Sequence, residues 1–344
     1  MKIRDLHVEN FRVIRSASVR DLPMVAGVWG KNGSGKSALL QAPVVLRNFL
    51  RMPGITQNPP AQLNSMGLQL GQVTDVLWKG GAERTQFRIA CDLDPRGQAQ
   101  ITWGLSGGPS HSQQEFDPSA VRYFPVQRAL GNRVWPVNQP VDSNLGENTG
   151  GIHAFVHWFL HKKVREQQLS GKKNEVDRVD EWLTRVGFGR ASDREEARFG
   201  RGNITALFAD PSTGYETPFI DGGFGGVSLA PILFEAYSFR DGILLIEEPE
   251  LSLHPAAQAD VFDFMLEIAK DRGHQVLFTS HSEYLLARFA RYAKETGGDD
   301  RLIGVFKATK DEGGAHFERE PLSGLVSRFE KQQNLLGDLH TRVP

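Results

Sequence analysis

The stretch VAGVWGKNGSGKSALLQ, residues 25–41, contains a complete GxxxxGK[ST] pattern between an apolar run and a helix-forming run. A short strand, a glycine-rich loop and a helix, in this order, are the structural context that the pattern requires. In that context, the backbone N–H groups of the loop and the N-terminus of the helix bind phosphate oxygens. The alternative is a glycine-rich turn before an ordinary helix. Pro43 should kink or shorten the helix.

The eight residues of the pattern are called the phosphate-binding loop below. They are Gly30, Lys31, Asn32, Gly33, Ser34, Gly35, Lys36 and Ser37. Lys36 is expected to reach the β- and γ-phosphates of ATP and to act in catalysis, and the Ser37 hydroxyl is expected to ligate Mg²⁺. The sequence therefore predicts ATP and Mg²⁺ as the bound cofactors.

A second run, GILLIEEPE at residues 242–250, is aliphatic and then ends on two adjacent carboxylates. Adjacent like charges repel, so a cation should lie nearby or one acid should act as a base. A phosphate-binding loop needs a second strand that ends in an acid for the water shell of Mg²⁺. We expect Glu247 to face the metal and Glu248 to orient or deprotonate the attacking water. A strand end with solvated capping acids is the alternative.

Composition excludes several classes of protein. Of the 344 residues, 40% are hydrophobic and 24% are charged, which is typical of a globular protein. The net charge is -1, so a polyanion would have to bind a local patch. The single cysteine, Cys91, excludes an internal disulfide framework and fits the cytoplasm. No apolar run is long enough for a transmembrane helix, so no membrane partner is expected.

The sequence pattern divides the chain into three parts. Alternating runs in residues 1–150 predict an antiparallel β lobe around the phosphate-binding loop. Residues 151–205 contain charged amphipathic runs and predict a helical insertion. Residues 206–344 alternate strands with helices, which predicts a parallel core sheet with crossover helices. The predicted class is therefore α/β.

The order of these motifs resembles P-loop ABC-type ATPases of the RecF/SMC/OLD kind, where OLD stands for overcoming lysogenization defect. The phrase IEEPELSLHP is similar to the Walker B region of stand-alone bacterial AAA-15/21-like ATPases related to OLD, and VENFR at residues 8–12 is similar to their start. The resemblance covers the loop and residues 216–286 well and the middle poorly. It implies an ATPase whose domain is formed by residues 1–150 and 206–344.

The resemblance also implies roles outside the two motifs. His281, within FTSHS at residues 278–282, matches a switch histidine that contacts the γ-phosphate. A histidine in a surface loop is the alternative. Residues 251–255 match the stretch that contacts an opposing subunit. Gln127 resembles a glutamine that senses Mg²⁺.

Two glycine-rich stretches resemble the signature motif of this family. Residues 105–108 read LSGG but lie far upstream and continue into PSHSQQ, which we interpret as a loop. GGFGGVS at residues 222–228 precedes a helix and is the better match, with Ser228 as the expected N-cap and Pro231 in the first turn. Its predicted nucleotide-contacting residues are Phe224, Gly225, Gly226 and Ser228. Phe224 and Ser228 replace the serine and glutamine of many relatives, so backbone N–H groups could make the contact instead.

In the family, the signature of one subunit completes the site of another, which implies a homodimer or a higher oligomer. The first hypothesis is an ATP-hydrolysing, nucleotide-gated dimer in DNA repair or anti-phage defence. DNA could bind the basic run HKKVR at residues 161–165. A solvated helix face explains the same run equally well. Because the chain ends soon after FTSHS, a separate effector such as a nuclease is expected. The alternatives are a nucleotide-gated sensor or scaffold with little turnover, and the energy-coupling subunit of a transporter.

Overall fold

The computed structural model describes most of the chain. The described residues are 1–52, 60–64, 68–80, 85–105, 109–126, 135–136, 175–198, 201–210, 212–218, 221 and 223–330. The strands in these ranges are β1 (Lys2–Phe11), β2 (Ile14–Val19), β3 (Val25–Gly30), β4 (Gln86–Asp94), β5 (Gln98–Gly104), β6 (Ser110–Gln114), β7 (Val121–Phe124), β8 (Trp135–Pro136), β9 (Arg190–Arg198), β10 (Arg201–Ala209), β11 (Glu216–Pro218), β12 (Ile243–Glu247), β13 (Gln275–Ser280), β14 (Ile303–Asp311) and β15 (Gly314–Glu320). The helices are α1 (Lys36–Arg51), α2 (Val73–Val76), α3 (Glu175–Arg185), α4 (Phe224–Ser238), α5 (Pro255–Arg272) and α6 (Glu283–Thr296), and residues 322–330 are also helical.

A central sheet carries the two predicted motifs. Its strand order is β15-β14-β3-β13-β12-β7, and every neighbouring pair except β14 and β15 is parallel. Strand β13 lies between β3, which leads into the phosphate-binding loop, and β12, which ends at Glu247. Parallel strands end at the same edge of a sheet, where α/β proteins bind their ligands. The fold therefore brings the loop, the paired acids and FTSHS to one edge.

The central sheet is covered on both faces, and its residues alternate between two cores. Val25 and Trp29 belong to one core together with apolar residues of α4, α5 and α6. Ala26 and Val28 belong to the other core together with α1 and the strands of a second sheet. Burial on both faces explains why the strand sequence ILLIE is continuously apolar instead of alternating.

The second sheet is antiparallel, with the order β2-β1-β4-β5-β6. It contains two hairpins, β1–β2 at the N-terminus and β4–β5 around the DPRG turn. The interpretation of PSHSQQ as a loop was wrong, because residues 110–114 form β6 and pair with β5. The LSGG letters lie in the β5–β6 connection, of which residues 106–108 are outside the described ranges. The predicted α/β class, with an antiparallel β lobe and a parallel core, is confirmed.

Helix α1 is not shortened at Pro43 and continues to Arg51, so this part of the expectation was wrong. An internal proline costs a helix about 3 kcal/mol. Burial of one large aliphatic side chain contributes about 1.5–3 kcal/mol, and Val44, Val45 and Leu46 are all fully buried. Packing of this helix on the sheet therefore outweighs the backbone penalty.

The helical character predicted for residues 151–205 holds for only part of the described segment. Helix α3 is present, but residues 190–198 form β9, which pairs with β10 along its whole length. Strand β10 also pairs with β11 and with β8. Pairing with a neighbouring strand decides the conformation of the charged run RASDREEAR, whose local preference is weak. The boundaries of the three parts stay a prediction.

Cys91 lies in β4 and is fully buried, and burial raises the pKa of its thiol. It is therefore a packing residue, as its strand-like surroundings predicted. Among the helices that the structure describes, none has the length and apolar character to span a bilayer.

Candidate active site

The phosphate-binding loop leaves β3 at Gly30 and enters α1 at Lys36. Gly33 and Gly35 have φ values of 75° and 100°, a left-handed conformation that favours glycine. A Cβ on Gly30 would lie 2.2 Å from the carbonyl oxygen of Ala308, whereas one on Gly33 would meet nothing within 4 Å. The base of the loop is thus packed against β14, and its tip is open at a helix N-terminus, where backbone N–H groups can bind an anion.

Lys36 lies across this loop. Its Nζ donates hydrogen bonds to the carbonyl oxygens of Gly30 at 2.8 Å and Lys31 at 3.1 Å. Burial lowers the pKa of Lys36, and the charges of Glu248 and Glu250 oppose this shift. Lys36 is therefore the cation that the row of acids after β12 required.

Glu247 is buried at the end of β12, and its position depends on three neighbours. Its Oε1 accepts hydrogen bonds from Nε2 of Gln41 at 2.9 Å and from the hydroxyl of Tyr123 at 2.8 Å. Burial raises its pKa, while hydrogen bonds from Tyr123, Gln41 and Ser37 oppose the increase. The structure thus brings Ser37 and Glu247 together. Their hydroxyl and carboxylate oxygens are the donors that Mg²⁺ prefers, so these residues fit the predicted metal site.

Sequence reasoning missed Gln41 and Tyr123. Gln41 follows Ser37 by one helical turn, at a spacing that places both on one face of α1. The spacing in the sequence could therefore have predicted Gln41 as a neighbour of the metal site. Tyr123 becomes a neighbour of Glu247 only because β7 pairs with β12. The guanidinium of Arg12 donates to Oε1 of Gln41, so the VENFR turn also reaches this network. Gln127 lies outside the described residues.

Glu248 points in a different direction from Glu247, as predicted. Its φ of 45° is in the left-handed region, which costs a residue with a side chain about 1–3 kcal/mol and is typical of functional sites. A hydrogen bond from its backbone nitrogen to the carbonyl oxygen of Thr279, at 3.0 Å, holds this turn. The side chain is 28% exposed, and its Oε1 lies 3.7 Å from Nε2 of His281.

His281 faces both Glu248 and the phosphate-binding loop. Burial lowers the pKa of its imidazole, the charge of Lys36 lowers it further, and Glu248 opposes the decrease. A histidine with a lowered pKa is neutral near pH 7 and can donate one hydrogen bond. Such a group can donate a hydrogen bond to a phosphate oxygen while Glu248 stays available to accept a proton.

The signature-like stretch begins its helix earlier than predicted. Helix α4 starts at Phe224, and its N-cap is Gly223, whose φ of 86° lets the chain turn before the first helical residue. Ser228 therefore lies in the second turn, 2% exposed, and Pro231 lies further inside the helix. The prediction that Ser228 is the N-cap was wrong.

The glycines of this stretch allow close packing. A Cβ on Gly225 would lie 2.7 Å from the carbonyl oxygen of Ser252, in the turn after the paired acids. A Cβ on Gly226 would lie 2.5 Å from the ring of Phe188. Phe224 is the exposed residue at the start of the helix, at 42%. The N-terminus of α4 is thus fixed against the loop that leads from β12 to α5.

Two substitutions in α4 should have opposite outcomes. Gly225→Ala places a methyl group against a backbone oxygen, and we expect overpacking to destabilise the protein by about 1–3 kcal/mol and to lower ATP turnover. Ser228 lies about one turn further along α4 and is buried. Ser228→Ala should leave turnover within about twofold, because a hydroxyl inside the protein is out of reach of a nucleotide at the helix end. Thermal unfolding and steady-state turnover of both variants check this. Loss of turnover in a stable Ser228→Ala protein would contradict the placement.

Comparisons with known proteins agree with this geometry. Residues 147–286 match the AAA ATPase domain family. The OLD nuclease of Thermus scotoductus is 23% identical over 375 aligned positions, which cover 96% of this chain and 69% of that protein. The fold is similar to an SMC head bound to the C-winged helix domain of ScpA, with 14% identity, a TM-score of 0.61, and coverage of 93% of this chain and 98% of that one. It is also similar to a Pyrococcus furiosus SMC head domain with an extended coiled coil, bound to the C-terminal domain of ScpA. In that comparison the identity is 12% and the TM-score is 0.59, with coverage of 96% of this chain and 99% of that one. The matches confirm the predicted resemblance to OLD-related, RecF/SMC-like ATPases.

Proposed function

We propose that this chain, an ATPase of the OLD-related, RecF/SMC-like kind, works as a nucleotide-gated dimer in a nucleic-acid-linked process. One observation carries the proposal. The phosphate-binding loop is open, Ser37 meets the buried Glu247, and Glu248 faces His281, all at the carboxyl edge of one parallel sheet. This is the set of groups that phosphoryl transfer to water needs.

Each group has a distinct task in the proposed reaction. The loop N–H groups and Lys36 bind the phosphates of ATP. Ser37 and Glu247 hold Mg²⁺, which when bound neutralises charge on the phosphate oxygens. Glu248 takes a proton from water as the water oxygen bonds to the γ-phosphorus, and the bond between that phosphorus and the bridging oxygen of ADP breaks. His281, as a neutral donor, holds a γ-phosphate oxygen.

The N-terminus of α4 supports a role for a second copy. Its first-turn N–H groups have no intrahelical partners, and such groups favour an anion. Exposed Phe224 marks this end as a surface. A phosphate bound in the loop of another copy would satisfy those N–H groups through the backbone of Phe224, Gly225 and Gly226. A homodimer or a higher oligomer is the arrangement that this reading requires.

The nucleic-acid link rests on the relatives. The curated relative is described as a nuclease, and the similar solved structures are SMC heads. We extend this to DNA repair or anti-phage defence in the cytoplasm, with a separate effector protein such as a nuclease. The basic run at residues 161–165 lies outside the described residues, so the proposed contact with DNA depends on the relatives and the sequence alone.

A nucleotide-gated sensor or scaffold is the second candidate. Burial of Ser228 favours it, because the signature then offers no hydroxyl to the γ-phosphate of an opposing copy. Such a protein would dimerise with ATP and turn over little of it.

Turnover of ATP by the wild-type protein, with and without DNA, separates the two candidates. We expect duplex or single-stranded DNA to raise turnover several-fold, roughly the change that a typical coupling free energy between two sites produces. We expect ATP to double the mass of the protein in solution. Heparin at matched charge is the control, because it reproduces the polyanion without the bases. Dimer formation with near-zero turnover and no effect of DNA would favour the sensor.

A further inference from the structure

Glu250 is the third acid of the EEPE run, and the proposed function gives it no task. It lies in the turn after β12, where Leu251 N donates to Glu248 O and Leu253 N donates to Glu250 O, both at 3.1 Å. The side chain is 6% exposed. Burial of a carboxylate is unfavourable unless hydrogen bonds compensate for the lost water. The contacts of Glu250 therefore indicate what it does.

One carboxylate oxygen of Glu250 holds the loop between β13 and α6. Its Oε1 accepts hydrogen bonds from the hydroxyl of Ser280 and, at 3.1 Å, from the backbone nitrogen of His281. The Ser280 hydroxyl in turn accepts from the backbone nitrogen of Ser282 at 2.9 Å. Ser282 caps α6, since its Oγ accepts from Leu285 N at 3.0 Å. Three consecutive residues with His281 at their centre are thus fixed to one oxygen.

The other oxygen of Glu250, Oε2, is buried and has no hydrogen-bond partner within the described part of the chain. Only one side of the carboxylate is therefore used, and its use is to hold the backbone of His281. The imidazole of the same residue lies 3.7 Å from Glu248 Oε1. The distance between the histidine and the predicted base thus depends on a contact made through Glu250.

The turn that contains Glu250 also meets the signature-like helix. Gly225 of α4 packs against Ser252, two residues beyond Glu250, at a distance that leaves no room for a methyl group. A shift of the N-terminus of α4 would therefore press on the turn that anchors His281. Packed interfaces of this kind transmit displacement because interiors have few voids.

We propose that Glu250 is a positioning residue for ATP hydrolysis, which fixes His281 opposite Glu248 and connects that pair to the turn against which α4 packs. This inference rests on the ATPase function proposed above. It adds a positioning residue and a physical connection between α4 and the active site. Glu250 acts through its hydrogen bonds to Ser280 and His281, whereas the proposed base is the part-exposed Glu248. It acts on the chemical step, since the phosphate-binding loop holds the nucleotide without it.

Enzyme kinetics of Glu250 variants test the assignment. For Glu250→Ala we expect kcat to fall about 100-fold, the loss typical of an approximately 1 Å misplacement, with KM for ATP changed by less than about threefold. Glu250→Gln should retain kcat within about fivefold, because its amide oxygen can accept both hydrogen bonds and its amide nitrogen replaces an oxygen that already lacks a partner. Glu250→Ala should add less than about threefold to the loss in His281→Ala, because both act through one group.

Glu267→Ala is the matched control. Glu267 on α5 also accepts two side-chain hydrogen bonds through one oxygen, from Tyr237 and Trp182, but contacts none of the active-site residues. It should leave kcat unchanged. A Glu250→Gln protein as inactive as Glu250→Ala, an unaffected Glu250→Ala protein, or fully multiplicative losses with His281→Ala would each overturn the proposal.

Amide hydrogen exchange of residues 278–284 tests the same contact without any turnover. Exchange should accelerate in Glu250→Ala and not in Glu250→Gln, while the β14–β15 hairpin stays protected in both. If the wild type hydrolyses no ATP, the proposed ATP hydrolysis fails. Unchanged exchange in Glu250→Ala overturns the contact itself, whatever the wild type hydrolyses.

Discussion

Glu248→Gln is expected to lower ATP turnover by about 10²- to 10⁴-fold, the contribution typical of a general base, and to leave ATP binding intact. Glutamine has nearly the shape of glutamate but cannot take a proton from the attacking water. The side chain is part-exposed and lies opposite His281, so the substitution removes no core contact. Because ATP then binds without being cleaved, an ATP-bound dimer should accumulate. Single-turnover hydrolysis, equilibrium ATP binding and mass in solution measure the three parts of this expectation.

Glu295→Gln is the control for loss of one negative charge, since Glu295 is exposed on α6 and pairs with Arg291 away from the active site. Turnover should be unaffected there. Turnover within tenfold of wild type in Glu248→Gln would contradict the base assignment and direct attention to Glu247.

Glu247→Gln should behave differently, because it changes a buried acid that already accepts hydrogen bonds from Gln41 and Tyr123. We expect its turnover to need a higher Mg²⁺ concentration than that of the wild type, because the neutral amide is a weaker ligand.

Local sequence was sufficient for the features that one segment specifies by itself. The phosphate-binding loop is continuous, and its glycine conformations follow from which residues can adopt a positive φ. The run ILLIEE showed both a strand buried on two faces and the acids at its end. The alternation of strands and helices in the C-terminal part predicted a parallel sheet, and this sheet places the loop and the acids at one edge.

The features that the sequence did not reveal depend on contacts between distant segments. Tyr123 meets Glu247 through strand pairing, and Glu250 meets His281 across more than one element. The N-cap of α4 was predicted five residues late because serine is a common N-cap, whereas the observed N-cap is Gly223 and the helix begins at Phe224. Several residues of this stretch are acceptable N-caps by local preference. The close packing of Gly225 on Ser252 is a long-range contact that the local sequence does not show.

Lys36→Ala is expected to have the second large effect, and at an earlier step. A hydrogen bond to a charged group contributes about 1.5–3 kcal/mol, so ATP affinity should fall at least about tenfold. Turnover at saturating ATP should fall a further 10²- to 10³-fold, roughly the loss seen when one donor to a developing negative charge is removed. The hydrogen bonds of the Lys36 ammonium go to the loop carbonyls of Gly30 and Lys31 and not to the hydrophobic core. The fold should therefore survive, as thermal unfolding without ATP can show.

The contrast between the two variants carries more information than either alone. Lys270→Ala removes a lysine from α5 that contacts Tyr292, and it should change neither binding nor turnover. Lys36→Ala should prevent ATP-dependent dimerisation because little nucleotide binds, whereas Glu248→Gln should promote it because bound nucleotide persists. If Lys36→Ala bound ATP as tightly as wild type, the phosphates would lie outside the loop at the end of β3. If both variants bound ATP and neither dimerised, the signature-like end of α4 would have no part in nucleotide gating.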